Sequence, residues 1–236
     1  MKKQSKLPLS DAVLTFRQIR QAIGYLAIGL PLALIGLPFI PLFKTSVQDS
    51  ISYYYYTNLR EVFTGTLCAV ALFLIRYRSS ENDVFWKDDD KMTNIAGIFA
   101  LGVAIFPTNP VDCSEKIYTL IPFCVTYIGV LHFIFAAAFF FTLAEISIVI
   151  FTIGQKQNKN IPLRVMNENN IYILCGCIII ISVVMIGVCD LFSLFQHSTL
   201  IFETLALTAF GISWLIKGRA FGQTGKLGST LYREKN

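Results

Sequence analysis

Six apolar segments separated by polar connections constrain this chain more than any other feature of its sequence. A chain entering lipid must satisfy its backbone N–H and C=O groups internally, and a hydrocarbon core about 30 Å thick takes about 20 helical residues per crossing. The segments fall at about residues 21–43, 60–77, 92–106, 132–152, 171–189 and 200–217. With 54% hydrophobic and 15% charged residues among 236, and a mean hydropathy of +0.59, no room remains for a separate soluble domain. The sequence therefore predicts an all-α, polytopic membrane protein, a single domain over residues 1–236 built as a bundle of six transmembrane helices.

The net charge of +5 does not point to nucleic acid, because the basic residues lie between apolar segments rather than in a patch interleaved with exposed aromatics. They are topology signals. With both termini cytoplasmic, 17 of the 20 Lys and Arg fall on inner connections, and only Lys44, Arg60 and Lys116 fall outside. The apolar run 118–152 is long enough for two crossings, but a seventh helix would invert the later loops and export eight basic residues. It is read as one crossing over 132–152, preceded by an outer helical extension or a re-entrant turn broken near Pro122. The expected location is a bacterial inner membrane.

Residues 1–20 carry five basic residues, with Ser10 placed to cap a short helix; they read as an ordinary basic flank, with a membrane-surface helix as the alternative. The first apolar run is too long for a cleaved signal peptide. Pro31 and Pro38 predict a kink and an early end to the first helix, since proline removes a backbone donor and clashes with the preceding turn. Gly24, Gly29, Ala33 and Gly36 offer small surfaces to a neighbour, as do Ala96, Ala100 and Ala104 on the third helix. Asp88, Asp89 and Asp90 precede that helix, where carboxylates complement the positive end of its dipole. The connection DLFSLFQHST carries Leu191, Phe192, Leu194 and Phe195 and is expected on the bilayer surface.

Polar residues within or bordering the apolar segments are few: Arg60, Glu61, His132, Glu145, Asp190, His197 and Glu203. Ionisable groups at membrane depth cost up to about 3 kcal/mol on insertion scales, which makes them functional candidates. Under the topology above, all but Glu145 map to the outer end of the bundle, together with Asp112 and the run Tyr53–Tyr56. The candidate ligand-binding set is Tyr54, Arg60, Glu61, His132, Asp190 and Glu203. No catalytic residue is assigned, although His132 as base with Glu203 to orient it would serve a hydrolase or acyltransferase. A structural reading competes, with Arg60 pairing to Glu61 or Asp190 and the tyrosines forming an interfacial belt. Neither G-x-S-x-G nor H-E-x-x-H occurs. Six cysteines without a CxxC pair imply no metal site, and no cofactor is implied. Cys113 and Cys189 both fall outside, where a disulfide between them is conceivable.

The segments SISYYYYTNLREVFTG (50–65), NIAGIFALGVAIFPT (94–108), LHFIFAAAFFFTLA (131–144) and FETLALTAFGISWLIKG (202–218) resemble the blocks of a bacterial six-helix membrane family of the "domain of unknown function 998" type. More distantly, the six-helix plan with a histidine opening an Ala-rich fourth helix is similar to DRAM-like and Frag-like eukaryotic proteins. The resemblance implies fold and location more than activity, with some distant relatives linked to lipid-anchor remodelling and lipid distribution. A histidine often stands in that pattern where this chain has Tyr53, so the position carries less weight here as an acid or base. The resulting expectation is a membrane protein whose partner is a lipid or other amphiphile, bound or distributed through an outer-leaflet cavity bounded by the second, fourth and sixth helices. The alternative is a lipid hydrolase or acyltransferase using His132 and Glu203.

Overall fold

The computed structural model describes residues 11–78, 82–109, 119–122, 124–153 and 167–222. Ser10, Asp112, Cys113, Lys116 and the basic residues Lys156, Lys159 and Arg164 lie outside them. Six α-helices and no strand occur among the described residues: α1 (Asp11–Gly36), α2 (Arg60–Arg76), α3 (Asp89–Ile105), α4 (Thr126–Glu145), α5 (Glu168–Phe192) and α6 (Ser198–Lys217). A π-helical turn, Ile146–Ile150, continues α4.

Each helix packs on its neighbours in sequence, and α6 returns to α1, so the six form a closed antiparallel ring. Its interior is apolar and aromatic. Trp214, Tyr54, Tyr77, Phe63 and Phe210 are fully buried, and Ala96, Ala100 and Ala104 turn inward from α3 as their spacing predicted. Two glycines meet where α1 crosses α6. A Cβ on Gly211 would lie 2.8 Å from the Gly24 carbonyl oxygen, and one on Gly24 would lie 2.9 Å from that of Gly211. Only hydrogen at both positions lets α1 and α6 cross at this distance. Gly29 and Gly36 meet nothing within 4 Å, so of the glycines expected to seat a neighbour on α1 only Gly24 does.

The first helix begins at Asp11 rather than near Gln21. Ile19 and Ile23 pack on the core, and Arg20 reaches Tyr77, so the last part of the basic flank is neither a free tail nor a separate surface helix. The helix runs through Pro31 and stops at Gly36. Pro38 and Pro41 then open two short 3-10 turns, Leu37–Phe39 and Pro41–Phe43, where a missing N–H costs nothing. In α3 the three aspartates have separate roles. Asp88 is the N-cap, accepting from the Lys91 amide at 2.9 Å, Asp89 is buried against Tyr77, and Asp90 lies 3.3 Å from Arg78. The segment before α4 is non-helical at Thr119–Pro122, and the helix starts at Thr126, six residues ahead of His132.

Four stretches are long and apolar enough to cross a membrane: Val13–Phe39, Thr126–Ile150, Glu168–Phe192 and Ser198–Lys217. Helices α2 and α3 have 17 residues each, which at 1.5 Å per residue span about 26 Å, just under the full hydrocarbon thickness. All six nevertheless turn large apolar side chains outward, among them Leu32, Leu72, Ile98, Phe133, Ile181 and Leu205.

Candidate functional site at the tyrosine collar

Residues 49–56 form a collar across one end of the ring, and its backbone is held from both sides. Ser52–Tyr56 is a 3-10 turn, short because Thr57 returns to extended geometry before α2 begins. From α6, the Glu203 carboxylate accepts the Ile51 amide at 2.6 Å, and the Leu200 amide donates to the Asp49 carbonyl at 2.9 Å. From α4, His132 is 2% exposed and bridges the collar to α3. Its Nδ1 lies 2.7 Å from the Phe106 carbonyl oxygen and its Nε2 2.9 Å from Ser52 Oγ. The Tyr56 hydroxyl donates to the Thr108 carbonyl, adding a second link to the end of α3.

The remaining candidates sit around this core of contacts. Tyr54 is fully buried and its hydroxyl accepts from the Gln48 amide at 3.3 Å. Arg60 donates to the Tyr55 carbonyl at 2.9 Å and stacks its guanidinium 5.4 Å above the Tyr55 ring, so it braces the collar from the start of α2. Glu61 is exposed in the same first turn. Asp190, at the end of α5, is exposed and lines a surface groove of about 330 Å³ with Asp49, Ser193, His197 and Thr199. His197 Nδ1 is 2.8 Å from Asp49 Oδ1, close but not aligned as a hydrogen bond.

Burial is the first cause that holds the Tyr53 phenol above its ordinary pKa, reinforced by the negative charges of Asp49, Asp190 and Glu203. Tyr54 and Tyr55 are raised chiefly by burial as well, opposed by the Gln48 amide and the Arg60 charge respectively. The collar therefore presents neutral hydroxyls, not phenolates, at physiological pH.

Beneath the turn lies a cavity of about 30 Å³ bounded by α1, α2, α3, α4 and α6. Ser52 and Glu203 are its polar lining; the rest is Leu30, Phe63, Val103, Phe139 and other apolar side chains. Of the six residues expected to line one cavity, only Glu203 does so here. Asp190 belongs to the groove, and Tyr54, Arg60, Glu61 and His132 support the collar around both. Ser52 was missed in the sequence reading, because nothing local distinguishes it from a turn serine; its meaning comes from a histidine 80 positions away.

A second polar assembly at the opposite end was also missed. Arg20 donates to the Tyr77 hydroxyl at 2.8 Å, and that hydroxyl donates to Asp89 at 3.1 Å. Lys217 donates to the Phe151 carbonyl at 3.2 Å beneath the Phe151 and Tyr172 rings. Arg219 and Glu168 approach to 3.9 Å. The topology count already put Arg20 and Lys217 at one level, a signal that could have found the cluster.

Cys189 is a buried free thiol, so a Cys113–Cys189 bridge does not form; Cys68, Cys175 and Cys177 are free as well, while Cys124 is disulfide-bonded. Among the described residues no group of three His, Cys, Asp or Glu could hold a metal ion. We found no matching family model, curated protein or solved structure for this chain.

Proposed function

We propose that this chain is a six-span integral membrane protein that binds, and helps distribute, a lipid or other amphiphile at its collar end. The carrying observation is that two segments, 49–52 and 198–203, line both the apolar cavity and the adjoining polar groove. An amphiphile needs those two surfaces side by side. The groove, at about 330 Å³, is of the size that small-ligand sites take. The cavity, at about 30 Å³, admits the end of an alkyl chain only if side chains such as Phe139 and Phe140 give way.

Membrane placement follows from the outward apolar faces of all six helices, which in water would be a large exposed patch. Helices α2 and α3 sit in the ring between longer neighbours and complete the six crossings with slight local thinning of the bilayer. Exposed Leu191, Phe192, Leu194 and Phe195 surround the collar end, and exposed Phe85 and Trp86 mark the other, as interfacial anchors do. The disulfide at Cys124, beside the collar end of α4, favours an oxidising compartment there and a cytoplasmic side at Arg20 and Lys217. We read the membrane as a bacterial inner membrane.

A catalytic arrangement with Glu203 orienting His132 does not follow from the geometry. Both ring nitrogens of His132 are engaged by other groups, and Glu203 holds the Ile51 amide. Native mass spectrometry of the full chain extracted under mild conditions tests the binding reading. A retained amphiphile, displaced when Asp49 and Asp190 are both changed to Asn, is the expected result. Recovery of the chain free of lipid under those conditions would sink it.

A further inference from the structure

We infer that Ser52 and His132 form a nucleophile and base pair that accepts an acyl group from an ester of a membrane amphiphile. The inference rests on the amphiphile-binding reading and assigns chemistry to the same end of the bundle. A carbonyl oxygen has no proton to give, so at 2.7 Å from Phe106 O it is His132 Nδ1 that bears the hydrogen in the neutral ring. Nε2 is then left with its lone pair, 2.9 Å from Ser52 Oγ, where it accepts the hydroxyl proton. This is the orientation a general base needs, with the Phe106 carbonyl acting as the positioning group behind it.

Ser52 lines the cavity, whereas His132 does not; the base stands behind the hydroxyl, and a substrate carbonyl reaches its other side once Phe139 and Phe140 give way. The surrounding wall of Leu30, Phe63, Phe139 and Phe140 suits the acyl portion, and the groove at Asp49 and Asp190 suits a polar alcohol portion. A histidine kept only to join helices would be satisfied by any acceptor or donor. Here it meets a hydroxyl on the lining of an apolar cavity, on a turn pinned by Glu203.

The reaction balances with groups present and an ester of the stated class. Oγ attacks the ester carbonyl carbon as Nε2 takes its proton, and an Oγ–C bond forms. The tetrahedral adduct collapses, the ester C–O bond breaks, and Nε2–H protonates the departing alcohol. Water or the hydroxyl of a second amphiphile then attacks the acyl-serine, giving its proton to Nε2, which returns one to Ser52 Oγ. The products are the alcohol and either a free acid or a new ester.

The test uses the full chain in lipid nanodiscs treated with a long-chain alkyl fluorophosphonate, followed by intact mass and peptide mapping. One probe adduct at Ser52 is expected in the wild type and none in Ser52→Ala. His132→Gln is expected to slow labelling by about 10² to 10⁴-fold. Because His132→Gln can loosen the bundle, Ser52→Cys with an alkyl chloroacetamide gives an independent readout: a histidine-assisted thiol there reacts faster than one introduced at Ser50. No adduct under conditions that label a known serine hydrolase in the same nanodiscs, or equal labelling of Ser52→Ala, overturns the inference. Lipid retained without an adduct leaves the binding reading standing and removes only this one. Loss of both removes both.

Discussion

Replacing Gly211 by alanine tests whether the α1 and α6 crossing sets the bundle's stability. The new methyl would meet Ile28 Cγ1 at 2.5 Å and the Gly24 carbonyl oxygen at 2.8 Å. The isoleucine can rotate; the backbone oxygen cannot. Restoring ordinary contact requires the helices to part by roughly 0.6 Å, and a gap of that size forfeits about a quarter of the dispersion attraction across the affected surface. For a patch equivalent to one buried leucine, with about 50 contacts of about 0.15 kcal/mol each, that is about 2 kcal/mol. Overpacking data in proteins give about 1–3 kcal/mol, and alanine's better helix propensity returns up to about 1. A net loss of about 1–2 kcal/mol is expected, roughly 5 to 30-fold in the folded-to-unfolded ratio. Gly29→Ala is the internal control, since its Cβ meets nothing within 4 Å and only the propensity gain applies. Reversible unfolding by a denaturing detergent, followed by the near-ultraviolet signal of the buried Trp214, measures both. If Gly211→Ala and Gly29→Ala unfold at the same detergent fraction, the close-crossing argument is refuted.

Other consequences can be measured in the same way. Asp88→Ala removes the α3 cap and should cost about 1 kcal/mol at neutral pH. The Lys91 amide is the largest influence holding the Asp88 carboxyl below its ordinary value of 3.8, so its contribution is present above that value and is lost as pH falls through the depressed one. Wild type and Asp88→Ala should therefore converge in strong acid, and a constant difference down to pH 2 would contradict the assignment. Tyr77→Phe takes away the acceptor of Arg20 and the donor to Asp89; a loss of about 1.5–3 kcal/mol in unfolding is expected, and an unchanged midpoint would mean the cluster is inert. Glu203→Leu strands the buried Ile51 amide and should cost about 1–3 kcal/mol, whereas Glu203→Gln keeps an acceptor and should cost less than half as much. Equal losses from both would show that the carboxylate is not pinning the collar. A cysteine at Ser193 should react with a membrane-impermeant maleimide on intact cells, and one at Asp83 only after lysis; the reverse pattern inverts the topology.

Much of the architecture was legible because it is encoded locally. Apolar runs bounded by polar residues predicted six helices, and four of the six observed starts lie within three residues of expectation: Arg60, Asp89, Glu168 and Ser198. The start of α1 was read too late because Arg17 and Arg20 looked like solvent-facing charge. Only the packed partner Tyr77 shows why Arg20 can stay inside a helical turn. The fourth crossing was bounded at His132 by the count of basic residues, with a helical extension or a re-entrant turn allowed before it; α4 in fact begins at Thr126, and His132 is buried six residues inside it, where Ser52 and Phe106 satisfy its ring. At α1 a charge was judged by its own solvation, and a distant hydrogen-bond partner changed the answer.

The sequence alone determined that this is an all-α chain with six apolar segments, its basic residues biased to alternate connections and its polar candidates, all but Glu145, assigned to one end. Those properties depend on periodicity, length and local charge, which every residue carries with it. The tertiary structure decided that His132 faces Ser52, that Glu203 holds Ile51, and that only Gly24 among the small residues of α1 seats against a partner glycine. It also joined Arg20, Tyr77 and Asp89 into one chain of hydrogen bonds. Those are pairings across 12 to 187 positions, from Tyr77 with Asp89 to Gly24 with Gly211, set by which faces of neighbouring helices meet, and nothing in the local pattern of either partner specifies them.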